Sequence, residues 1–124
     1  MAQYPQGIFQ SLQYLLKQIK ILALQKQPVY NVGTVAASTT YTMPGKGIYY
    51  ASAGSNTTST IKFPDPALCS GQTIYFINTG SNSFQVSTTN QPKGSTNNSN
   101  QGVISGNVQA FFTSNGVNWY TIGI

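Results

Sequence analysis

The chain has 124 residues and a formal net charge of +5, from six lysines and one aspartate, with neither arginine, glutamate nor histidine. Charged residues make up only 6% of the chain, whereas 40% of residues are hydrophobic and 12% aromatic, which is enough to form a core. The usual general acid–base groups and the ligand sets of zinc or calcium are missing. We therefore expect neither an enzyme nor a protein that holds a metal or cofactor.

The first predicted element is a helix from about residue 5 to residue 27. Pro5 suits its first turn, Pro28 ends it, and no glycine follows Gly7 within it. Apolar residues recur at alternating steps of four and three, which is the spacing of a coiled-coil seam. The seam consists of Ile8, Leu12, Leu15, Ile19 and Leu22, and Leu16 widens it on one side.

A helix of this length is marginal alone in water, so another surface must cover its apolar stripe. It could pack on the β-domain of its own chain, bundle with copies of itself or dock in a partner, or lie on a membrane. Lys17 and Lys20 interrupt the stripe, which falls short of a membrane span, and no basic leader or cleavage site marks a signal peptide. We favour bundling or docking, with the seam, Leu16, Lys17 and Lys20 as the interface.

After the helix the hydrophobic period changes to two, which predicts eight short strands. They are 29–36, 40–43, 47–52, 58–63, 72–78, 83–88, 108–114 and 117–123. Asn115-Gly116 predicts a two-residue hairpin turn, and residues 79–82 predict a longer hairpin turn between the fifth and sixth strands. The predicted core consists of Ile61, Phe63, Ile74, Phe76, Phe84, Val86, Phe112 and Trp119.

Many short strands with no helix between them predict an antiparallel β-sandwich or jelly roll. The chain is therefore expected to be mainly β, with two parts. Residues 1–28 form an N-terminal, coiled-coil-like helical segment for oligomerisation or anchoring, and residues 29–124 form the antiparallel β-domain.

The stretch 64-PDPALCSG-71 holds the only carboxylate side chain, Asp65, and the only thiol, Cys69. A reactive cysteine needs a base or a cationic neighbour, and the lysine nearest in sequence is Lys62, before Phe63 and Pro64. We therefore interpret Asp65 as part of a proline-flanked corner and Cys69 as a small buried hydrophobe. A site built from symmetry-related copies of Asp65 stays open. One unpaired cysteine fits assembly in a reducing cytoplasm.

Two segments resemble the small β-domains of bacteriophage fibres. They are 60-TIKFPDPALCSGQTIYFINTGSNSFQVST-88 and 103-VISGNVQAFFTSNGVNWYTIG-123, which together cover about half of the chain. Such domains often have an I-x-L-P strand, a corner with a glycine, a strand ending in N-T-G, and a closing F-x-S-(D/N)-G-x-N-W-Y-x-I. Here Phe63 stands where the family often has leucine, and no long shaft is present.

This resemblance implies a non-enzymatic, usually trimeric protein on the virion surface, assembled in the host cytoplasm. We expect a homotrimeric head fibre or capsid decoration protein, attached by its N-terminal helix to the major capsid protein or another virion protein. The alternative is a tail-fibre or receptor-binding component, or a carbohydrate-binding module for host surface glycans. Its candidate sugar contacts are Tyr49, Tyr50, Tyr120 and Trp119.

The net charge of +5 raises the question of nucleic-acid binding. Lys46, Lys62 and Lys93 are scattered along the β-domain and form no basic patch with interleaved aromatic residues. The positive balance comes from missing acids rather than from clustered cations. We therefore expect neither nucleic acid nor a membrane as a partner.

Overall fold

The computed structural model describes residues 3–24, 27–94 and 100–123, and within the helix it describes the side chains of residues 7–18. The chain is mainly β with one N-terminal helix, as predicted. Helix α1 (Gln3–Leu24) precedes strands β1 (Val29–Val35), β2 (Thr40–Thr42), β3 (Gly47–Ala53), β4 (Thr60–Lys62), β5 (Thr73–Asn78), β6 (Phe84–Val86), β7 (Val103–Ile104), β8 (Gln109–Ser114) and β9 (Trp119–Gly123). A 3-10 helix, Pro66–Leu68, lies between β4 and β5. All eight predicted strands are present, and β7 is additional.

The strands form two mixed sheets, with the orders β1-β3-β5-β8-β9 and β2-β4-β6-β7. The first six strands alternate between the sheets, so β1, β3 and β5 are parallel neighbours in one sheet and β2, β4 and β6 in the other. The chain thus winds through three turns, each giving one strand to each sheet, as in a β-solenoid. Antiparallel pairs formed by β7, β8 and β9 then complete the two sheets.

The predicted antiparallel pairing is therefore wrong for the pairs that the first six strands form with one another. The short connections carry the chain from one sheet to the other instead of reversing it within a sheet. Residues 79–82 are such a corner rather than a hairpin, because β5 and β6 lie in different sheets. The Asn78 side-chain amide holds this corner by donating to the carbonyl oxygens of Asn82 at 2.8 Å and Ser105 at 3.0 Å.

The hairpin predicted at Asn115-Gly116 is confirmed, because it joins the antiparallel pair β8 and β9. Its loop is longer than the predicted two residues and runs from Asn115 to Asn118. The Asn115 side-chain oxygen accepts hydrogen bonds of 2.9 Å from the backbone N–H groups of Val117 and Asn118. Gly116 adopts a φ of 91°, a conformation that favours glycine.

One hydrophobic core joins the two sheets. All eight predicted core residues are buried within it, because the inward positions of a strand recur with a period of two. Phe76 of the larger sheet meets Phe84 of the smaller sheet at 5.4 Å between ring centroids. Phe63, just after β4, packs edge-on against Phe112 and is tilted against Trp119. These aromatic contacts position the corner and loops described next.

Candidate functional site

The coiled-coil seam of α1 is open to solvent wherever its side chains are described. Ile8, Leu12 and Leu15 are each about half exposed, and Leu16 beside them is 65% exposed. Lys17 is exposed as well. Ile19, Lys20 and Leu22 of the predicted interface have side chains outside the described set. The β-domain of the same chain therefore does not cover the described part of the seam.

The corner at residues 64–71 is built as a structural element. Asp65 caps the 3-10 helix, because its Oδ1 accepts a hydrogen bond of 2.9 Å from the backbone N–H of Ala67. Cys69 is buried and free. Burial raises the pKa of the Cys69 thiol, and the Asp65 carboxylate raises it further. The thiol is therefore held in its protonated, weakly nucleophilic form, which agrees with the structural interpretation of both residues.

Neither a metal site nor a membrane-spanning helix is found among the residues that the structure describes. No group of three or more histidine, cysteine, aspartate or glutamate side chains comes together there to hold a metal ion. No helix in the same residues combines the length and hydrophobicity needed to cross a bilayer.

A polar pocket of about 310 Å³ lies beside the corner and was not predicted from the sequence. Its lining consists of Pro66, Thr88, Asn90, Gln91, Lys93, Asn100, Val117, Asn118 and Trp119. Several of these polar groups are already bonded within the protein. The Asn90 and Gln91 amides donate to backbone carbonyls, and the Lys93 ammonium donates to Asn100 Oδ1 at 3.2 Å. Each of these three side chains thus has at least one donor committed to a bond within the protein.

The candidate sugar-binding aromatic residues are placed in different environments. Tyr49 and Trp119 are fully buried, so their rings cannot stack on a sugar, and the prediction for these two residues is wrong. Burial also raises the pKa of the Tyr49 hydroxyl, which donates a hydrogen bond to the carbonyl oxygen of Gly45. Tyr50 is exposed and Tyr120 half-buried. Only these two remain as candidates for glycan contact.

Tyr50 belongs to the outward surface of the larger sheet, which we call the outer face. Its aliphatic and aromatic members are Val29, Ile48, Tyr50, Tyr75, Ile77, Phe111, Tyr120 and Ile122, and uncharged polar side chains such as Asn31, Thr73, Gln109 and Thr113 lie among them. Tyr75 and Phe111 are stacked at its centre, with 4.1 Å between ring centroids and 8° between ring planes. The sequence contains a signal for this face, because Tyr49-Tyr50 and Phe111-Phe112 are adjacent aromatic pairs. Neighbouring side chains of a strand point to opposite faces, so one member of each pair must point outward.

A second opening lies between β1 and β2, the first strands of the two sheets. It has a volume of about 470 Å³, and Tyr30, Val32, Val35 and Tyr41 contribute its apolar lining. Among the described residues, β1 pairs only with β3, and β2 pairs only with β4. The first turn of the winding therefore presents two free strand edges on either side of an apolar cleft.

The sequence matches no protein-family model, and neither a curated protein nor a solved structure shows significant similarity to it. Conclusions about function therefore depend on the surfaces of the chain itself.

Proposed function

We propose that this protein is a non-enzymatic structural component of a bacteriophage particle. In this proposal it is a trimeric head fibre or capsid decoration protein, anchored by its N-terminal helix and projecting its sandwich-like β-domain from the virion surface. The observation that carries the proposal is the exposed seam of α1. The resemblance of the β-domain to those of phage fibres supplies the biological setting.

The energetics favour covering the seam. Full burial of one leucine, isoleucine or phenylalanine side chain stabilises by about 1.5–3 kcal/mol. Ile8, Phe9, Leu12, Leu15 and Leu16 are each roughly half to two-thirds exposed. Covering them is therefore worth on the order of 5 kcal/mol for each helix, before the entropy of association is subtracted. Three parallel copies supply such a cover in the form of a coiled coil with its seam at the axis.

The charges of the helical segment favour attachment to an acidic partner. Lys17, Lys20 and Lys26 belong to this segment, and it contains no acidic residue. Ion pairs between copies therefore cannot set the register of the bundle, and the lysines remain available to another protein. An acidic, partly apolar socket on the major capsid protein or another virion protein would complement this surface.

The first test is the mass of the full-length protein by sedimentation equilibrium. The wild type should be a trimer, and Leu12→Ser combined with Leu15→Ser should shift it to a monomer with unchanged β-structure by circular dichroism. Tyr14→Ser is the matched control, because Tyr14 is 64% exposed on the same helix but lies outside the seam. A wild-type monomer at micromolar concentration would refute the trimer.

The second test concerns attachment to the particle. Mass spectrometry of purified phage particles should detect the chain, and deletion of residues 1–27 should remove it while leaving a folded β-domain. Replacing Lys17 and Lys20 with glutamate should weaken attachment and alter its dependence on salt. If the deleted form still decorates particles at normal occupancy, the anchor lies in the β-domain.

A receptor-binding role is the second candidate, because Tyr50 remains exposed on the outer face and Tyr120 is half-buried. Aromatic rings at a surface can stack on the apolar faces of sugars. A glycan array probed with the full-length protein tests this role. A signal that disappears in Tyr50→Ala and persists in Tyr14→Ala would favour it over a purely structural role.

A further inference from the structure

We infer that the outer face of the five-stranded sheet is a second self-association surface, covered by the β-domain of another copy of this chain. This inference deepens the proposed function, on which it rests for the assumption that copies of the chain assemble together. It concerns the β-domain, whereas the predicted seam lies in the helix.

The outer face is rich in aliphatic and aromatic side chains, and the polar side chains between them are uncharged. Val29, Phe111 and Ile122 are exposed, and the exposed Tyr50 lies among them. Aromatic side chains are enriched at protein interfaces, where charged residues are depleted. The stacked rings of Tyr75 and Phe111 are already fixed in one arrangement. Association would therefore cost little side-chain entropy at the centre of this face.

The distribution of charge indicates what covers the face. Each copy carries six lysines and one aspartate, so two copies repel each other wherever their lysines meet. None of the five strands β1, β3, β5, β8 and β9 contains a charged residue. The smaller sheet differs, because β4 ends in Lys62. Lys93 lies at the β9 edge of the larger sheet, where its ammonium is bound to Asn100. Lys46 is exposed just before β3, so the lysines nearest to the outer face lie at its margins and the face itself is uncharged. Copies of a cationic chain can therefore meet there with little repulsion.

The size of the face fits an interface that forms only within an assembly. Five strands about 4.8 Å apart and about six residues long span roughly 24 by 20 Å, or on the order of 500 Å² for each copy. Contact between this face and an equal area of a neighbouring β-domain buries about 1,000 Å² in total, which is at the lower limit for a specific interface. Four residues connect α1 to β1 and reach at most about 14 Å. Bundled helices would therefore hold the β-domains at a millimolar effective concentration, which is enough for a weak contact to form.

Hydroxyl-radical footprinting of the full-length protein, read by mass spectrometry, tests the inference without any substitution. Oxidation is compared between a concentrated, assembled sample and a sample diluted until it sediments as a monomer. Tyr50, Tyr75 and Phe111 should be oxidised at least threefold less in the assembled sample. Val103 is the matched control, because it is 42% exposed, as Phe111 is, but lies on the smaller sheet. Leu12 and Leu15 report on the helix seam in the same experiment.

The outcomes separate the inference from the proposed function. Protection of the outer face supports the inference, whether or not the seam is also protected. Protection of the seam alone overturns the inference and leaves the helix-based trimer in place. If neither surface is protected, or if the sample never assembles, both the inference and the proposed function fail.

Phe111→Ser should also raise the dissociation constant of the assembled protein at least tenfold, whereas Val103→Ser should leave that constant unchanged. A glycan-array signal that depends on Phe111, with the face unprotected in the assembly, would identify a ligand platform and overturn the inference.

Discussion

The indole nitrogen of Trp119 donates a hydrogen bond of 2.8 Å to the carbonyl oxygen of Pro64, which lies 55 residues earlier in the chain. Ser114 adds a second bond from the same hairpin, because its hydroxyl donates to the carbonyl oxygen of Pro66 at 2.8 Å. The corner that contains Asp65 and Cys69 is thereby joined to the closing hairpin of the larger sheet. Asp65 and Cys69, the two residues that first raised the question of an active site, thus belong to a structural connection between the two sheets.

Trp119→Phe should destabilise the fold by about 2–4 kcal/mol. The smaller ring leaves a cavity, and the carbonyl oxygen of Pro64 loses its partner in a partly buried environment. Urea denaturation followed by circular dichroism measures the change. Val117→Ala, two residues away on the exposed loop, should change the free energy of unfolding by less than about 0.5 kcal/mol. Equal stability of Trp119→Phe and the wild type would show that the bond to Pro64 contributes nothing.

Asp65→Ala should cost about 1 kcal/mol of stability, because the N–H of Ala67 loses the capping oxygen. Asp65→Asn should cost less than about 0.5 kcal/mol, since asparagine caps as well as aspartate does. Neither substitution should change the sedimentation mass. A folded Asp65→Asn protein that no longer assembles would instead assign a function to the charge, as in a site shared between copies.

The free energy of unfolding should not vary with pH through Tyr49 near neutrality, where this phenol is protonated in both states, and should fall as the pH rises above about 10. Burial raises the pKa of Tyr49 above its ordinary value of 10.0, so the unfolded chain loses this proton at a lower pH than the folded chain. The stabilisation is therefore complete below pH 10 and declines above it. Tyr41 contributes in the same direction, because its pKa is also raised by burial.

Denaturation curves between pH 8 and pH 11.5 measure this dependence. Tyr49→Phe should flatten the alkaline decline, at a cost of about 1 kcal/mol at pH 8 for the lost bond to Gly45. Tyr14→Phe removes an exposed phenol and is the control. An unchanged alkaline slope in Tyr49→Phe would contradict the assignment.

Gly106→Ala should destabilise the fold by about 1–3 kcal/mol or more. A Cβ atom at this position would lie 2.1 Å from the carbonyl oxygen of Ser81, so one of the two backbone segments must move. Gly45→Ala is the control, because a Cβ atom there meets no atom within 4 Å. Thermal unfolding of both variants compares them directly. A Gly106→Ala protein as stable as Gly45→Ala would mean that the contact between these loops is loose.

The positions of the strands and the core could be predicted from the sequence, because alternation with a period of two is a local property. Ile61, Phe76 and Trp119 are buried as that period requires. The pairing of the strands could not be predicted in the same way. A turn of four residues, such as 79–82, has the same composition whether it reverses the chain or carries it to the other sheet. That choice depends on contacts such as the bond from Asn78 to Ser105, 27 residues away.

Of the two candidate interaction surfaces, the helix seam could be predicted from the sequence and the outer face could not, for a related reason. The helix seam follows from spacing alone, and Leu12 and Leu15 of this seam are exposed. The outer face requires knowledge of which strands are neighbours. Tyr75 and Phe111 lie 36 positions apart in the sequence and become a stacked pair only through the pairing of β5 with β8.

The winding of the first six strands also determines how a domain of this kind can change in length. Because successive strands enter different sheets, one inserted strand would send every later strand to the opposite sheet. An insertion that preserves the fold must therefore supply two strands, one for each sheet. Each such turn would extend the stack by about 4.8 Å and leave the closing hairpin unaltered. The existing turns begin at Val29, Gly47 and Thr73, so their spacing already varies while the stacking is kept. Lengthening would thus proceed in fixed steps, each of which also widens the outer face by one strand.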